Sequence, residues 1–252
     1  MADVFAEGVS KWQDKLGLAR DAVRQELVTR QLLEYLPTPD TDVRVIDIGS
    51  GQGTQANRLA DLGYNVIGVD PSEKLLEGAI QTAREHTNGA RFAVGTLEEM
   101  SKWVGTEFDL VCCHGVLMYM PELVPAIRGL VSLARQGGLI SVLTRNPASI
   151  AMRAGLRGDW QGAIDGFDAR SYTNQLVGST LRADSPDDIA EAFRESGAEP
   201  VSWYGVRTFI DHWDDVPVPD NFETLAKAEY QAGKRDPYRQ LAALVHVIAE
   251  RS

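Results

Sequence analysis

The chain has 252 residues, 44% of them hydrophobic, and a formal net charge of −11 at pH 7. Its length allows one large α/β domain or two small ones. The acidic balance argues against a generally basic, nucleic-acid-coating surface, though not against a local basic patch. No apolar run approaches the roughly 20 residues of a membrane helix. The two cysteines, Cys112 and Cys113, are adjacent within an apolar run and read as small buried hydrophobes of a reducing compartment, not as a disulfide. The opening MADVFAEGVSKWQDK mixes charges from the start and has no apolar signal core, so a cytoplasmic protein is expected.

In chain order, the first ~36 residues are predicted to be helical, with Val23, Leu27 and Leu32 of AVRQELVTRQLLEYL at near-helical spacing. Pro37 and Pro39 then stop the helix. Short β-branched runs follow at residues 43–49, 64–70, 90–95, 108–115 and 137–144, separated by the helical stretches TQANRLADL, SEKLLEGAIQTAREH and VPAIRGLVSLAR. Such alternation predicts parallel strands joined by crossover helices, a doubly wound sheet covered on both faces. The rhythm breaks over residues 145–184, a Gly-, Arg-, Asn- and Ser-rich segment that reads as an inserted cap on a single domain. It resumes with SPDDIAEAFRESGA, where Ser185 and Pro186 make a helix start. The extended PVSWYGVRTF, a further helix and the apolar run LAALVHVIAE close the chain. Between Leu143 and Arg182 five arginines face three aspartates, and the simplest reading of this basic stretch is ordinary solvated surface.

VRVIDIGSGQGTQA is the chemically informative stretch. Glycines between a strand and a helix let backbone approach a ligand closely. A triphosphate-binding loop needs a lysine, and none occurs between Gly49 and Lys74. A dinucleotide fingerprint needs its third glycine at residue 54, which is Thr, and its pyrophosphate would meet Asp47. The second strand ends at Asp70, placed to accept hydrogen bonds from ribose hydroxyls. Asp47, Gly49, Gly51 and Asp70 therefore describe a pocket for a nucleoside that carries an ammonium or sulfonium group.

DIGSGQG, VIGVDPS, VGTLEE, FDLVCCHGVLMYM and ARQGGLISV resemble, in order, the motifs of class I S-adenosylmethionine-dependent methyltransferases. The resemblance implies a Rossmann-like, mainly parallel seven-stranded sheet, whose last, antiparallel strand YGVRTF would supply. It also implies S-adenosylmethionine as cofactor. The backbone around Gly49, Ser50 and Gly51 would line the methionine part, and Asp70, followed by Pro71, would hold the ribose. Thr96 and Leu97 would flank the adenine, and His114 would face the reactive end. More narrowly, AVRQEL, CCHGVLMYM, Arg145-Asn146, GVRTFIDHW and RDPYRQLAALVHVIA are similar to the bacterial tRNA 5-carboxymethoxyuridine methyltransferases. That similarity implies a cofactor contact for Arg24. The lysine-rich run of that family is replaced here by SYTNQLVGSTLRAD, with one arginine, which lowers the expected affinity for phosphodiesters and keeps a small metabolite open as acceptor.

A carboxylate acceptor, with a pKa of about 4, is already ionised at neutral pH. It needs a planar cationic clamp rather than a base, and Arg145 and Arg207 are the candidates, with Tyr119 or Tyr204 positioning the acceptor. A hydroxyl acceptor would need a base, for which His114 is first choice. The four histidines show no ligand spacing, so no metal is expected. The competing readings are an NAD-dependent oxidoreductase and a non-catalytic S-adenosylmethionine-binding protein.

Overall fold

A computed structural model of the chain describes residues 17–40, 42–86, 88–103, 107–174 and 178–252. The N-terminal helix runs Ala19–Leu32 (α1) and buries Val23, Leu27, Val28 and Leu32; the part of the helical expectation that falls on residues 1–16 lies outside the described residues. Five strands follow in the predicted order: Arg44–Ile48 (β1), Asn65–Asp70 (β2), Arg91–Val94 (β3), Phe108–His114 (β4) and Ala134–Arg145 (β5). Their crossovers are the helices Thr54–Asp61 (α2), Glu73–Ala83 (α3), Leu97–Trp103 (α4) and Leu123–Leu133 (α5). The pairs β1–β2, β2–β3, β1–β4 and β4–β5 are all parallel. Four of the five residues of β1 are buried, as befits a strand covered on both faces.

Among the described residues, the segment where the strand–helix rhythm breaks carries regular structure. It forms the helices Ala148–Leu156 (α6) and Trp160–Gly166 (α7), then an antiparallel hairpin of Ser171–Asn174 (β6) and Ser179–Arg182 (β7). Asp159 caps α7 by accepting the Gly162 N–H at 2.9 Å. A Cβ on Gly166 would lie 2.7 Å from the Ala151 backbone nitrogen, so this glycine permits a close helix–helix approach instead of breaking a helix.

The remaining elements are Pro186–Glu195 (α8), Ala198–Val206 (β8), Phe222–Gly233 (α9) and Leu244–Arg251 (β9). The seven-stranded sheet has the order β3-β2-β1-β4-β5-β9-β8. YGVRTF is therefore not the final strand. Tyr204, Gly205 and Val206 end β8, and the chain leaves the strand at Arg207, a non-glycine residue at φ 62°. The run LVHVIAER supplies the last strand, inserted between β5 and β8.

The chain divides into two compact units. Among the described residues, one comprises Leu32–Leu143, Asp187–Ser202 and Val247–Ser252; the other comprises residues 17–31, Thr144–Pro186 and Trp203–His246. In the second unit, the buried Glu229 of α9 accepts the backbone N–H groups of Thr208 (2.7 Å), Phe209 (2.9 Å) and Ile210 (3.1 Å). Burial pushes its carboxyl above the usual range despite these bonds. Its ionised form thus costs stability, and the native state loses stability as pH rises from the ordinary glutamate value through the raised one. Glu229→Ala would strand three N–H groups and should lower stability by about 3 kcal/mol or more, measured by urea unfolding at neutral pH.

Candidate active site

In the doubly wound sheet the chain leaves β1 toward β2 on one side and returns through β4 on the other. The crevice at the carboxyl ends of β1 and β4 is the switch point where such sheets bind ligands. The loop Gly49–Gly53 opens from β1 at this place. Gly49 and Ser50 both donate to the Val69 carbonyl, at 2.7 and 3.0 Å, which folds the loop back over β2. Gly49 has φ 72°, and a Cβ on it would sit 2.2 Å from Val116 Cγ2, so both backbone and space require glycine. Asp70, buried at the end of β2, accepts the Gly51 N–H on Oδ2 and the Ser72 N–H on Oδ1, each at 2.9 Å. Two donors on two oxygens fix the carboxylate plane beside the loop. Ser50 Oγ and Gln52 Nε2 are buried without a hydrogen-bond partner, polar atoms that a ligand in the loop would satisfy.

The other residues expected at the cofactor follow the next strands on the same sheet edge. Thr96 immediately precedes α4, and the Glu99 carboxylate reaches back to its N–H at 3.0 Å, one half of a capping box. The neighbouring Leu97 is buried and packs toward Gly129 of α5. Pro71 is exposed next to Asp70. His114 ends β4 with Nε2 2.8 Å from Ser141 Oγ of β5. Tyr119 closes the short 3₁₀ turn Leu117–Tyr119 and is half-buried. Asp47 is buried within β1, opposite Gly68 and Cys112. Cys112 and Cys113 are free and fully buried, and burial pushes both thiols up. The donor set suits S-adenosylmethionine: a fixed carboxylate for ribose, a glycine-lined turn, and no loop lysine asking for phosphate.

A second set of groups lies within the other unit, around Asp211. Arg207 Nη2 lies 3.1 Å from Asp211 Oδ1. Arg145 Nη1 and Arg153 Nη1 lie 3.4 and 3.3 Å from Oδ2, and Arg20 Nη1 donates to the Asp211 carbonyl at 3.0 Å. Asp214 takes Arg153 Nη2 at 3.0 Å and Arg157 Nη2 at 2.6 Å. With Arg20 Nη1 also 3.9 Å from Asp214 Oδ1, five guanidinium groups share two carboxylates. Burial pushes Asp211 up, but Arg207, Arg145, Arg153 and Arg20 outweigh it and hold its carboxyl below the usual range. Burial pulls Arg207 down to about 10, helped by Arg145, Arg20 and Arg24 and opposed by Asp211; it remains a cation at neutral pH. Arg145 Nε, Arg207 Nε, Thr208 Oγ1 and His212 Nδ1 are buried without hydrogen-bond partners.

The basic stretch after Leu143 is therefore not plain solvated surface, since Arg145 and Arg153 are only 11% and 22% exposed and converge on one aspartate. Arg145 and Arg207 both pair with Asp211. Arg24 donates to Asp21 Oδ1 at 2.7 Å, one turn away on its own helix. Tyr204 is buried, with the His246 ring 6.1 Å away. The sequence reading misses Asp211, Asp214, Arg20, Arg153 and Arg157 as members of this cluster. The acidic run Asp211, Asp214, Asp215 opposite an arginine-rich segment is the signal that points to it.

A profile of the methyltransferase-domain family matches residues 39–183, more than half of the chain. The chain belongs to the methyltransferase-domain family. It is an S-adenosylmethionine-dependent methyltransferase of class I. The chain is 26% identical to the tRNA 5-carboxymethoxyuridine methyltransferase of Escherichia coli (strain K12), over 93% of this chain and 89% of that one. It is 27% identical to the ubiquinone biosynthesis O-methyltransferase of Dinoroseobacter shibae, over 80% of this chain and 83% of the relative. In fold it is similar to the magnesium protoporphyrin IX methyltransferase of Synechocystis PCC 6803, solved with bound SAH. The TM-score is 0.66 at 20% identity, covering 99% and 97% of the two chains.

Two variants check the loop. Asp70→Ala should weaken S-adenosylmethionine binding by about 2 kcal/mol, roughly 30-fold. Gly49→Ala should abolish binding at accessible concentrations through the forced clash with Val116. Calorimetric titration measures both.

Proposed function

We propose that this methyltransferase esterifies a carboxylate, and that its acceptor is the carboxymethoxy group of 5-carboxymethoxyuridine in tRNA. The observation that carries the reading is the pair Arg145 and Arg207, held together at Asp211 with buried Nε donors lacking partners. S-adenosylmethionine, when bound, supplies a methyl group activated on a sulfonium. In-line displacement then depends on alignment. A carboxylate needs no proton removed at neutral pH, so the protein's task is to grip and orient an anion, which the planar guanidinium fork does through paired N–H donors. His114, beside Ser141, is not asked to act as a base in this reaction. Arg24, Asp47, Gly49, Ser50, Gly51, Asp70, Pro71, Thr96, Leu97 and His114 are assigned to the cofactor, and Tyr119 to positioning of the acceptor. The relation to the E. coli tRNA enzyme over most of both chains supports the choice of acceptor.

A second reading, O-methylation of a small metabolite, is favoured by the net charge of −11 and by the similarity to ubiquinone-pathway O-methyltransferases. Transfer of labelled methyl to bulk tRNA and to a small-molecule extract separates the two: label in tRNA supports the proposal, and label confined to metabolites replaces it with the second reading. Cofactor binding without any transfer would indicate a binding protein. With the acceptor in hand, Arg207→Lys should lower kcat/KM by about 100-fold, since two charge-assisted hydrogen bonds contribute about 3 kcal/mol together. His114→Gln should stay within about threefold, less than one such bond. The reverse pattern would point to a hydroxyl acceptor.

A further inference from the structure

We propose that Asp211 is a positioning residue for the acceptor: it assembles and aims the arginines that grip the carboxylate, without itself touching acceptor or cofactor. The inference rests on the carboxylate-acceptor reading above. Three features carry it. First, both oxygens of the Asp211 carboxylate and its main-chain carbonyl are engaged by different arginines, brought from α1 (Arg20), the end of β5 (Arg145), α6 (Arg153) and the turn after β8 (Arg207). No other carboxylate reaches Arg145 or Arg207 within 4 Å among the described residues. Second, the Arg207 contact is an ion pair off the line of a hydrogen bond: Nη2 is 3.1 Å from Oδ1, yet Oδ1 and Arg207 Nε have no hydrogen-bond partner. Charge therefore holds the guanidinium in place while its directional Nε–H stays available. Third, Arg207 itself sits at φ 62°, a backbone region that non-glycine side chains rarely occupy. Such strain persists only where the surroundings enforce it, and here the enforcing contacts are Asp211 on the side chain and Glu229 on the N–H groups of the next three residues.

Charge alone and positioning predict opposite results when the aspartate is neutralised. Asp211→Asn removes a negative charge from a cluster that binds an anion, so a pure field effect would tighten carboxylate binding. Loss of positioning would loosen it, because arginines that repel one another no longer share a counter-ion.

The probe is methoxyacetate, the simplest ion with an alkoxyacetate group, titrated into the full chain. Binding is read from the Nε–H resonances of Arg145 and Arg207, and S-adenosylmethionine affinity is measured in parallel by calorimetry. Asp211→Asn should weaken methoxyacetate by about tenfold or more, as loss of an orienting outer partner typically does. Cofactor affinity should be unchanged, and Asp211→Glu should restore part of the loss. Equal or tighter methoxyacetate binding in Asp211→Asn would overturn the proposal and leave the carboxylate reading intact. Parallel loss of cofactor affinity in both variants would make Asp211 a residue of the fold and overturn it too. If neither arginine responds in the unaltered chain, the carboxylate reading falls, and the proposal with it.

Discussion

The parallel sheet is the constraint from which the cofactor site follows. Parallel strands point their carboxyl ends the same way, and every loop that leaves β1, β2, β3 or β4 must emerge on one edge. The register β1↔β2 and β1↔β4 therefore sets Gly49, Asp70, Thr96 and His114 along a single rim without any dedicated scaffold. The reversal of winding between β1 and β4 opens the crevice, and two backbone N–H groups fix the Asp70 carboxylate beside it. Each of these contacts is short-range or lies between neighbouring strands.

The arginine cluster obeys a different logic. Desolvating guanidinium groups is costly, and a buried ion pair is weak grounds for stability. Arg207 also holds an unfavourable backbone conformation, of order 1–3 kcal/mol for a residue of this kind. Folding would not select such a group for its own sake. Under the proposed function its cost is preorganisation, because a guanidinium group already desolvated needs little reorganisation when an anion arrives. Asp211 makes the arrangement tolerable by supplying counter-charge to several arginines at once.

This difference explains what was legible in the sequence. The cofactor loop is written in adjacent residues, so DIGSGQG followed by Asp70 announced itself. The basic stretch after Leu143 looked like surface because its partner lies about sixty residues further along, in Asp211. No periodicity marks such a meeting of four separate segments. The inserted segment breaks the strand–helix rhythm in sequence because its two helices are short and rich in glycine, and Gly155 and Gly166 sit where those helices approach closely. YGVRTF was mistaken for the closing strand because its β-branched and aromatic content continues past Val206. The left-handed turn at Arg207, which no residue type there advertises, ends the strand.

The chemistry of the product tests the central claim most directly. A methyl ester is cleaved by mild alkali and releases volatile methanol, whereas a methyl ether or an N-methyl group survives. Label transferred from S-adenosylmethionine by this enzyme should be released almost completely as methanol after brief alkaline treatment of the purified product. Label that stays with the acceptor would contradict carboxylate methylation.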